Sequence, residues 1–168
     1  MSARRWYSLL ALAAALGACA KKAEETAATA PAVDSAAVRA AIGDMWQRWI
    51  TADTTGNVAA LAAMVGDSAR LDVRGIPPLL GRAAFQAWAT TAFKDVKVSE
   101  ESAMPDMTIP VSNDLVYQNG NYTETMTTKG KTSTEYGRYA LALHKDPDGQ
   151  WRWAYVMAFA DSTVPKKK

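Results

Sequence analysis

The chain has 168 residues, a formal net charge of +2 and apolar side chains at 49% of its positions. This is enough for one domain with a real core and too little for several large ones. The charge is close to balanced, and Lys166, Lys167 and Lys168 crowd the C-terminal end, so the basic balance gives no support for a nucleic-acid partner.

Arg4 and Arg5 precede an apolar run from Leu9 to Leu16. The run falls short of the ~18 residues that mark a membrane-spanning helix. A charged start before a short apolar stretch is instead the pattern of a cleaved export signal. The stretch ends Leu16-Gly17-Ala18-Cys19, which resembles a bacterial lipobox: an apolar residue three before the cysteine, then two small ones. That resemblance implies a signal peptide over residues 1–18 and acyl chains on Cys19 that anchor the protein to a membrane. Ala20, not aspartate, follows the cysteine, which implies sorting to the outer membrane, facing the periplasm. Cys19 is the only cysteine, so no intrachain disulfide forms. Residues 20–33 lack aromatics and bury too little to offset chain entropy. With Cys19 they read as a lipidated tether over 19–33. Residues 164–168 read as a basic tail, leaving one folded domain over 34–163.

Within the domain, Asp34 or Ser35 can cap a first helix. Val38, Ile42, Met45, Trp49 and Ile50 recur at helical spacing, Trp46 widens the same face, and the period stops near Ala52-Asp53. Asn57 starts a second helix with Val58, Leu61, Met64 and Val65 on one side. Ala69 to Arg74 alternates as a short strand, and Pro77-Pro78 bars regular structure before Leu80. A third helix runs from Gly81 or Arg82 to Phe93, burying Phe85 and Trp88.

The second half reads as strands. Val96 and Val98 flank Lys97, and Pro105 and Pro110 bound an irregular segment. Asp114 to Tyr117 forms a run that Asn119-Gly120 breaks. Tyr122 to Thr128 and Thr134 to His144 flank a turn at Lys129-Gly130-Lys131. Tyr139, Leu141 and Leu143 share one face of the later strand; Tyr136, Arg138, Ala140, Ala142 and His144 share the other. After the turn formers Asp146 to Gly149, Trp151, Trp153, Tyr155, Met157 and Phe159 line one face of a last strand. Arg152, Ala154, Val156, Ala158 and Ala160 line the other. Helices first and a strand meander after predict an α+β domain; a doubly wound α/β fold fits less well, because the late strands lack crossover helices.

The segments MWQRWITADTTGNVAALAAMVGDSARLDVRGIPPLLGRAAFQAW, NDLVYQNGNYTETMTTKGK and GRYALALHKDPDGQWRWAYVMAFADS resemble the NTF2-like superfamily, in its SnoaL-like and DUF4440-like branches. The resemblance implies a cone: a curved antiparallel sheet wrapped around three N-terminal helices, its open end leading to an apolar pocket. Members include isomerases, dehydratases and polyketide cyclases, and others that only bind ligands or dimerise. In isomerase-like members an aspartate near the end of the first strand abstracts a proton, and Asp72 lies nearest that place. Flanking Arg70 and Arg74 equally allow a solvated ion pair there. Val156 and Ala158 stand where relatives carry an aspartate and a tryptophan, which argues against the steroid-isomerase acid set.

Trp46 and Trp88 are the expected pocket walls, with Tyr122 and Tyr136 as polar handles. His144, the only histidine, reads as an exposed edge residue. One histidine and one cysteine leave no His/Cys metal cluster, and no cofactor is expected. The leading expectation is a membrane-anchored domain that binds a small apolar ligand or a protein partner. The alternatives are an isomerase/dehydratase-type enzyme using Asp72 as general base, and a homodimerisation module packing through the Trp153–Phe159 stripe.

Overall fold

The computed structural model describes residues 32–166. The export signal, Cys19, most of the tether, Lys167 and Lys168 lie outside the described residues. Helix α1 (Ser35–Thr54) begins where Asp34 accepts a hydrogen bond from the Ala37 N–H at 3.0 Å. Its apolar stripe, Val38, Ile42, Met45, Trp49 and Ala52, is buried. Asn57 caps α2 (Val58–Ala63) in the same way. Strands β1 (Val65–Val73) and β2 (Leu79–Leu80) follow, then α3 (Gly81–Ala92). The four strands β3 (Val96–Pro110), β4 (Leu115–Thr128), β5 (Lys131–Lys145) and β6 (Trp151–Pro165) complete the domain. Gly81 opens α3 with φ +81°, and a Cβ there would stand 2.3 Å from the Asp67 carbonyl oxygen. Only glycine fits both demands. Among the described residues no helix is long and apolar enough to cross a membrane.

The sheet corrects the expected architecture. Its order is β2-β1-β6-β5-β4-β3, so β2 and β3 are free edges and the sheet stays open, without closing on itself. It is mixed rather than antiparallel, because β1 runs parallel to β6. Among the described residues α1 and α2 alone precede the strands; α3 is inserted between β2 and β3. The expected cone of antiparallel strands around three N-terminal helices is therefore replaced by an open mixed sheet. Helix α1 packs against β3 and β6, and α3 packs against β1 and α2. The core between them includes Ile42, Met45, Leu61, Val116, Leu141 and Leu143, all at most 1% exposed.

Two expected breaks are absent. The Pro105–Pro110 segment is the end of β3, an edge strand whose outer N–H groups need no partner, so proline is tolerated. The Asn119-Gly120 pair continues β4. Gly120 lies so close to β3 that a Cβ would meet the Met104 carbonyl oxygen at 2.3 Å.

The last strand departs from simple alternation. Ala142 pairs with Tyr155 and Leu143 with Trp153, so Ala154 is an extra residue on β6. A bulge of one residue swaps the two faces beyond it. Trp151 and Trp153 point into the core, and Val156 continues that face in place of Tyr155 and Met157. Trp153 is 6% exposed, so the expected Trp153–Phe159 stripe is not one surface.

Candidate active site

The sheet and helices enclose a cavity of about 310 Å³, at the small end of ligand pockets. Most of its wall is apolar. Rings follow one another along it: Tyr139 to Trp46 (5.3 Å between centroids), Trp46 to Trp153 (5.9 Å), Trp153 to Trp49 (3.7 Å), Trp49 to Phe85 and Phe85 to Trp88 (5.9 Å each). The Trp46 N–H is spent on Gln118 Oε1 at 2.7 Å, and Gln118 in turn donates to Thr108 Oγ1 at 2.8 Å. That buried glutamine is fully occupied in structure.

Four carboxyl groups interrupt this wall: Asp53, Glu101, Glu124 and Glu135. Asp53 comes from the last turn of α1, four residues after Trp49 and on its face. The three glutamates form a row across adjacent strands, since Glu101 pairs with Glu124 and Glu124 with Glu135. Like charges directly opposite one another in a sheet repel. Among the described residues no arginine, lysine or histidine lines the cavity to offset them.

The row resolves the repulsion by holding protons. Burial pushes Glu101 up to about 9, with the Asp53 and Glu124 charges adding to the shift. Burial likewise pushes Glu124 up to about 8, helped by Asp53 and Glu135. Asp53 rises to about 6 through burial, moderated by a hydrogen bond with Glu101. The Trp49 N–H donates to Glu101 Oε1 at 3.2 Å, whereas Glu101 Oε2 is buried with no partner. An ionised Glu101 would leave that acceptor bare, while protonation makes it a donor. The Tyr122 hydroxyl donates to Glu135 Oε1 at 2.7 Å and is itself raised, first by burial. Gly137 makes room for that ring: a Cβ there would lie 2.4 Å from Tyr122 Cε1.

At neutral pH the Asp53–Glu101 pair thus holds one carboxylate and one carboxylic acid side by side, with the neutral acid of Glu124 next in the row. Two carboxyls with proton affinities pushed apart are the arrangement that general acid–base chemistry uses. Among the described residues, no group of three or more His, Cys, Asp or Glu is placed to hold a metal ion.

The family description of a SnoaL-like domain matches residues 34–156. The chain belongs to the SnoaL-like domain family. A search of curated proteins finds no relative of significant similarity. Among solved structures, a ketosteroid isomerase-like protein from Erwinia carotovora atroseptica is 19% identical, with a TM-score of 0.66 over 73% of this chain and 95% of that one. A conserved protein from Planctomyces limnophilus is 20% identical, with a TM-score of 0.67 over 78% and 99%. Hexachlorocyclohexane dehydrochlorinase LinA-type3 from Novosphingobium barchaimii is 18% identical, with a TM-score of 0.64 over 78% and 91%. At these identities the likeness is one of fold.

In this SnoaL-like domain three of the four expected pocket residues, Trp46, Trp88 and Tyr122, do line the cavity. Tyr136 does not. It is 45% exposed and points from the other face of β5, one residue out of phase with Tyr139. Asp72 lies on the outer face of β1, where Arg70 Nε donates to its Oδ2 at 2.8 Å. That hydrogen bond holds its proton affinity below the ordinary value. Its neighbours Leu71 and Val73 are the ones that face the cavity, beside Val156 and Ala158 of β6. His144 is exposed, 3.3 Å from Asp146 in a surface cluster with Arg152.

Sequence reasoning passed over the four inward carboxyls. Asp53 is seven residues after Trp46 and four after Trp49, an acid in the phase of the buried stripe. Glu124 falls between Tyr122 and Met126 on one strand face, and Glu135 shares the face of Tyr139 and Leu141. Glu101 carried no such signal. Val98 pairs with Met126 and Glu100 with Thr125, so Ser99 is a bulge that turns Glu101 inward.

Proposed function

We propose that the domain is an acid–base enzyme for a small, largely apolar substrate, of the isomerase/dehydratase type, with Asp53 in the role expected of Asp72. The observation that carries this reading is the Asp53–Glu101 pair in a cavity otherwise walled by rings. Asp53, ionised at neutral pH, takes a proton from carbon. The released electron pair moves into an adjacent double bond, toward an oxygen that accepts a hydrogen bond from the neutral acid of Glu101. Return of the proton at a second carbon completes an isomerisation. Departure of a neighbouring hydroxyl with the proton of the acid, as water, completes a dehydration. Neither route needs a cofactor. Two proteins of similar fold, one ketosteroid isomerase-like and one a hexachlorocyclohexane dehydrochlorinase, are consistent with such chemistry.

Nitrobenzisoxazole tests this without knowledge of the natural substrate. A base removes its ring C–H proton, the C–H pair becomes the third bond of a nitrile, the N–O bond breaks, and a coloured phenolate leaves. The expected rate exceeds that of free acetate at equal concentration and rises through pH about 6 as Asp53 ionises. Asp53→Asn lowers it by about 10²-fold or more. A wild-type rate no better than acetate, or an Asp53→Asn variant as active as the wild type, overturns the reading.

We also propose that the domain works from a membrane surface in the cell envelope, through acyl chains on Cys19. The support is the Leu16-Gly17-Ala18-Cys19 sequence and the tether after it. Labelled palmitate fed to a bacterial host expressing the full chain is expected to enter the protein, and Cys19→Ser to abolish both labelling and membrane fractionation. Label retained in Cys19→Ser, or none in the wild type, removes this location.

A further inference from the structure

We infer that the cavity takes an organic ammonium ion: an amine whose cationic nitrogen sits among Asp53, Glu101 and Glu124, and whose apolar body lies on the indole wall. The inference rests on the reading of the cavity as the active site and assigns its substrate class.

The lining decides the sign of the ligand. Among the described residues, four carboxyls and no basic side chain face the space. An anion entering would meet the Asp53 carboxylate with no basic side chain among the described residues to offset it, which disfavours carboxylate and phosphate substrates. A neutral ligand would leave the row protonated as it is. A cation can take the place of those protons beside the carboxylates. The same burial and neighbouring carboxyls that make Asp53, Glu101 and Glu124 retain protons favour a positive charge that reaches them, and a proton and an ammonium ion compete for it.

The walls suit an alkylated or aryl-bearing cation more than a metal ion. Trp153 is in ring contact with both Trp49 and Trp46, with centroids 3.7 and 5.9 Å apart. Phe85 and Trp88 extend the wall. Aromatic faces attract ammonium groups through the negative charge of their π-systems, and the attraction is strongest where water is excluded. A cavity of about 310 Å³ bounded by rings and by a row of acids meets both halves of such a molecule.

The competition with protons gives the inference a measurable signature. The groups facing the site are Asp53 from α1, Glu101 from β3, Tyr122 and Glu124 from β4, and Glu135 and Tyr139 from β5; α3, β1 and β6 contribute none that titrates. Asp106 and Asp161 act on the two tyrosines from a distance. A permanently charged ligand should therefore bind more tightly as pH rises from 5 to 9, because it displaces protons from Asp53, then Glu124, then Glu101. The probes are benzyltrimethylammonium and its uncharged isostere neopentylbenzene, titrated into the protein by tryptophan fluorescence. At pH 8 the cation is expected to bind at least about tenfold more tightly than the isostere. Its binding should release protons, read as a dependence of the calorimetric heat on the buffer. Glu101→Gln and Glu124→Gln should each flatten the pH dependence. Equal or tighter binding of neopentylbenzene, or cation affinity that does not change between pH 5 and 9, overturns the inference. Turnover of nitrobenzisoxazole without any preference for the cation would overturn it and leave the acid–base reading standing. Cation binding without turnover would do the reverse.

Discussion

The two faces of the sheet hold acidic side chains in opposite conditions. On the outer face two acids have a guanidinium: Arg70 with Asp72 at 2.8 Å and Arg138 with Asp161 at 2.7 Å. At the β5–β6 turn Arg152 takes Asp146 at 2.7 Å and Asp148 at 2.6 Å. There the carboxyls of Asp72 and Asp161 bind protons more weakly than usual, and Asp148 falls to about 2. On the inner face Asp53, Glu101 and Glu124 have no cation and bind protons more tightly than usual. On β5 the switch takes only three residues, from inward Glu135 to outward Arg138. The proton affinity of an acid in this domain thus follows the face it occupies, and the inner acids are the ones that lack counter-charge.

The sharpest way to break this contrast is to neutralise one acid from each face. Asp53→Asn should remove about 10²–10⁴-fold of proton-transfer rate, the usual span for a general base. Asp72→Asn should leave the rate within about threefold, since its carboxyl is committed to Arg70 and lies outside the cavity lining. The measurement is nitrobenzisoxazole turnover across pH 5 to 10 for both variants. In the wild type the same profile should fall again toward pH 8 to 9, as Glu124 and Glu101 lose the protons they donate. Comparable losses in the two variants would mean that the face occupied does not separate the two sets of acids.

Stability offers a second contrast, of smaller size and definite sign. Glu101 holds its proton to about 9 in the folded state, against an ordinary value of 4.5. Between those values the folded protein carries more protons than the unfolded chain, so stability falls as pH rises through this window. Below pH 4.5 the group is protonated in both states and its burial as a neutral acid costs little. Glu101→Gln keeps the shape and cannot ionise. It should raise the melting temperature by several degrees at pH 9, equivalent to about 1–3 kcal/mol, and by almost nothing at pH 5. An equal shift at both pH values would show that Glu101 does not gain its charge inside the fold.

How much of this was legible in the sequence also follows from which face each residue occupies. The helical stripe of Val38, Ile42, Met45 and Trp49 could be read directly, and it is buried as read. So could the inward face of Tyr139, Leu141 and Leu143. Choosing Tyr136 as a pocket residue went against that alternation. Asp53, Glu124 and Glu135 were visible too, as acids in phase with buried rings. What no alternation reveals is a bulge. Ser99 on β3 and Ala154 on β6 each insert one residue, so Glu101 turns inward and Val156 takes the face begun by Trp153. The parallel β1–β6 pair was hidden for another reason. It joins the first long strand to the last, and the local pattern carries no information on so remote a pairing. Pro105 misled because proline is barred from central strands but not from an edge, and edge position is a property of the whole sheet.

A third contrast concerns how the ring and the acid on β4 and β5 are held. Tyr122 lies over Gly137, its cross-strand partner, and donates to Glu135. Gly137→Ala places a methyl 2.4 Å from the ring, so the ring must leave and the hydroxyl must lose Glu135. Overpacking of this kind costs about 1–3 kcal/mol. The same one-methyl change at Gly43, on the exposed side of α1, meets nothing within 4 Å and should be neutral or slightly stabilising. Thermal unfolding of the two variants separates them. A Gly137→Ala protein as stable as Gly43→Ala would show that the Tyr122–Glu135 contact does not depend on that gap.

The smallest effect belongs to the outer pairs themselves. Arg70 and Asp72 form a single exposed ion pair, with 51% and 26% of their side chains accessible. Water screens both charges already, and ordering two side chains offsets most of the attraction. Arg70→Gln, Asp72→Asn and the double variant should therefore all unfold at the wild-type temperature at moderate salt. The pH dependence expected of the pair is also opposite in sign to that of Glu101. Asp72 binds its proton more weakly when folded, so any stability it contributes is present above its ordinary carboxylate range and fades as acid protonates it. A measurable loss on Asp72→Asn that does not fade as the pH falls below the ordinary carboxylate range would point to the Asp72 contact with Tyr155 and not to charge. That result would give the outer face a structural role which its ion pairs alone do not supply.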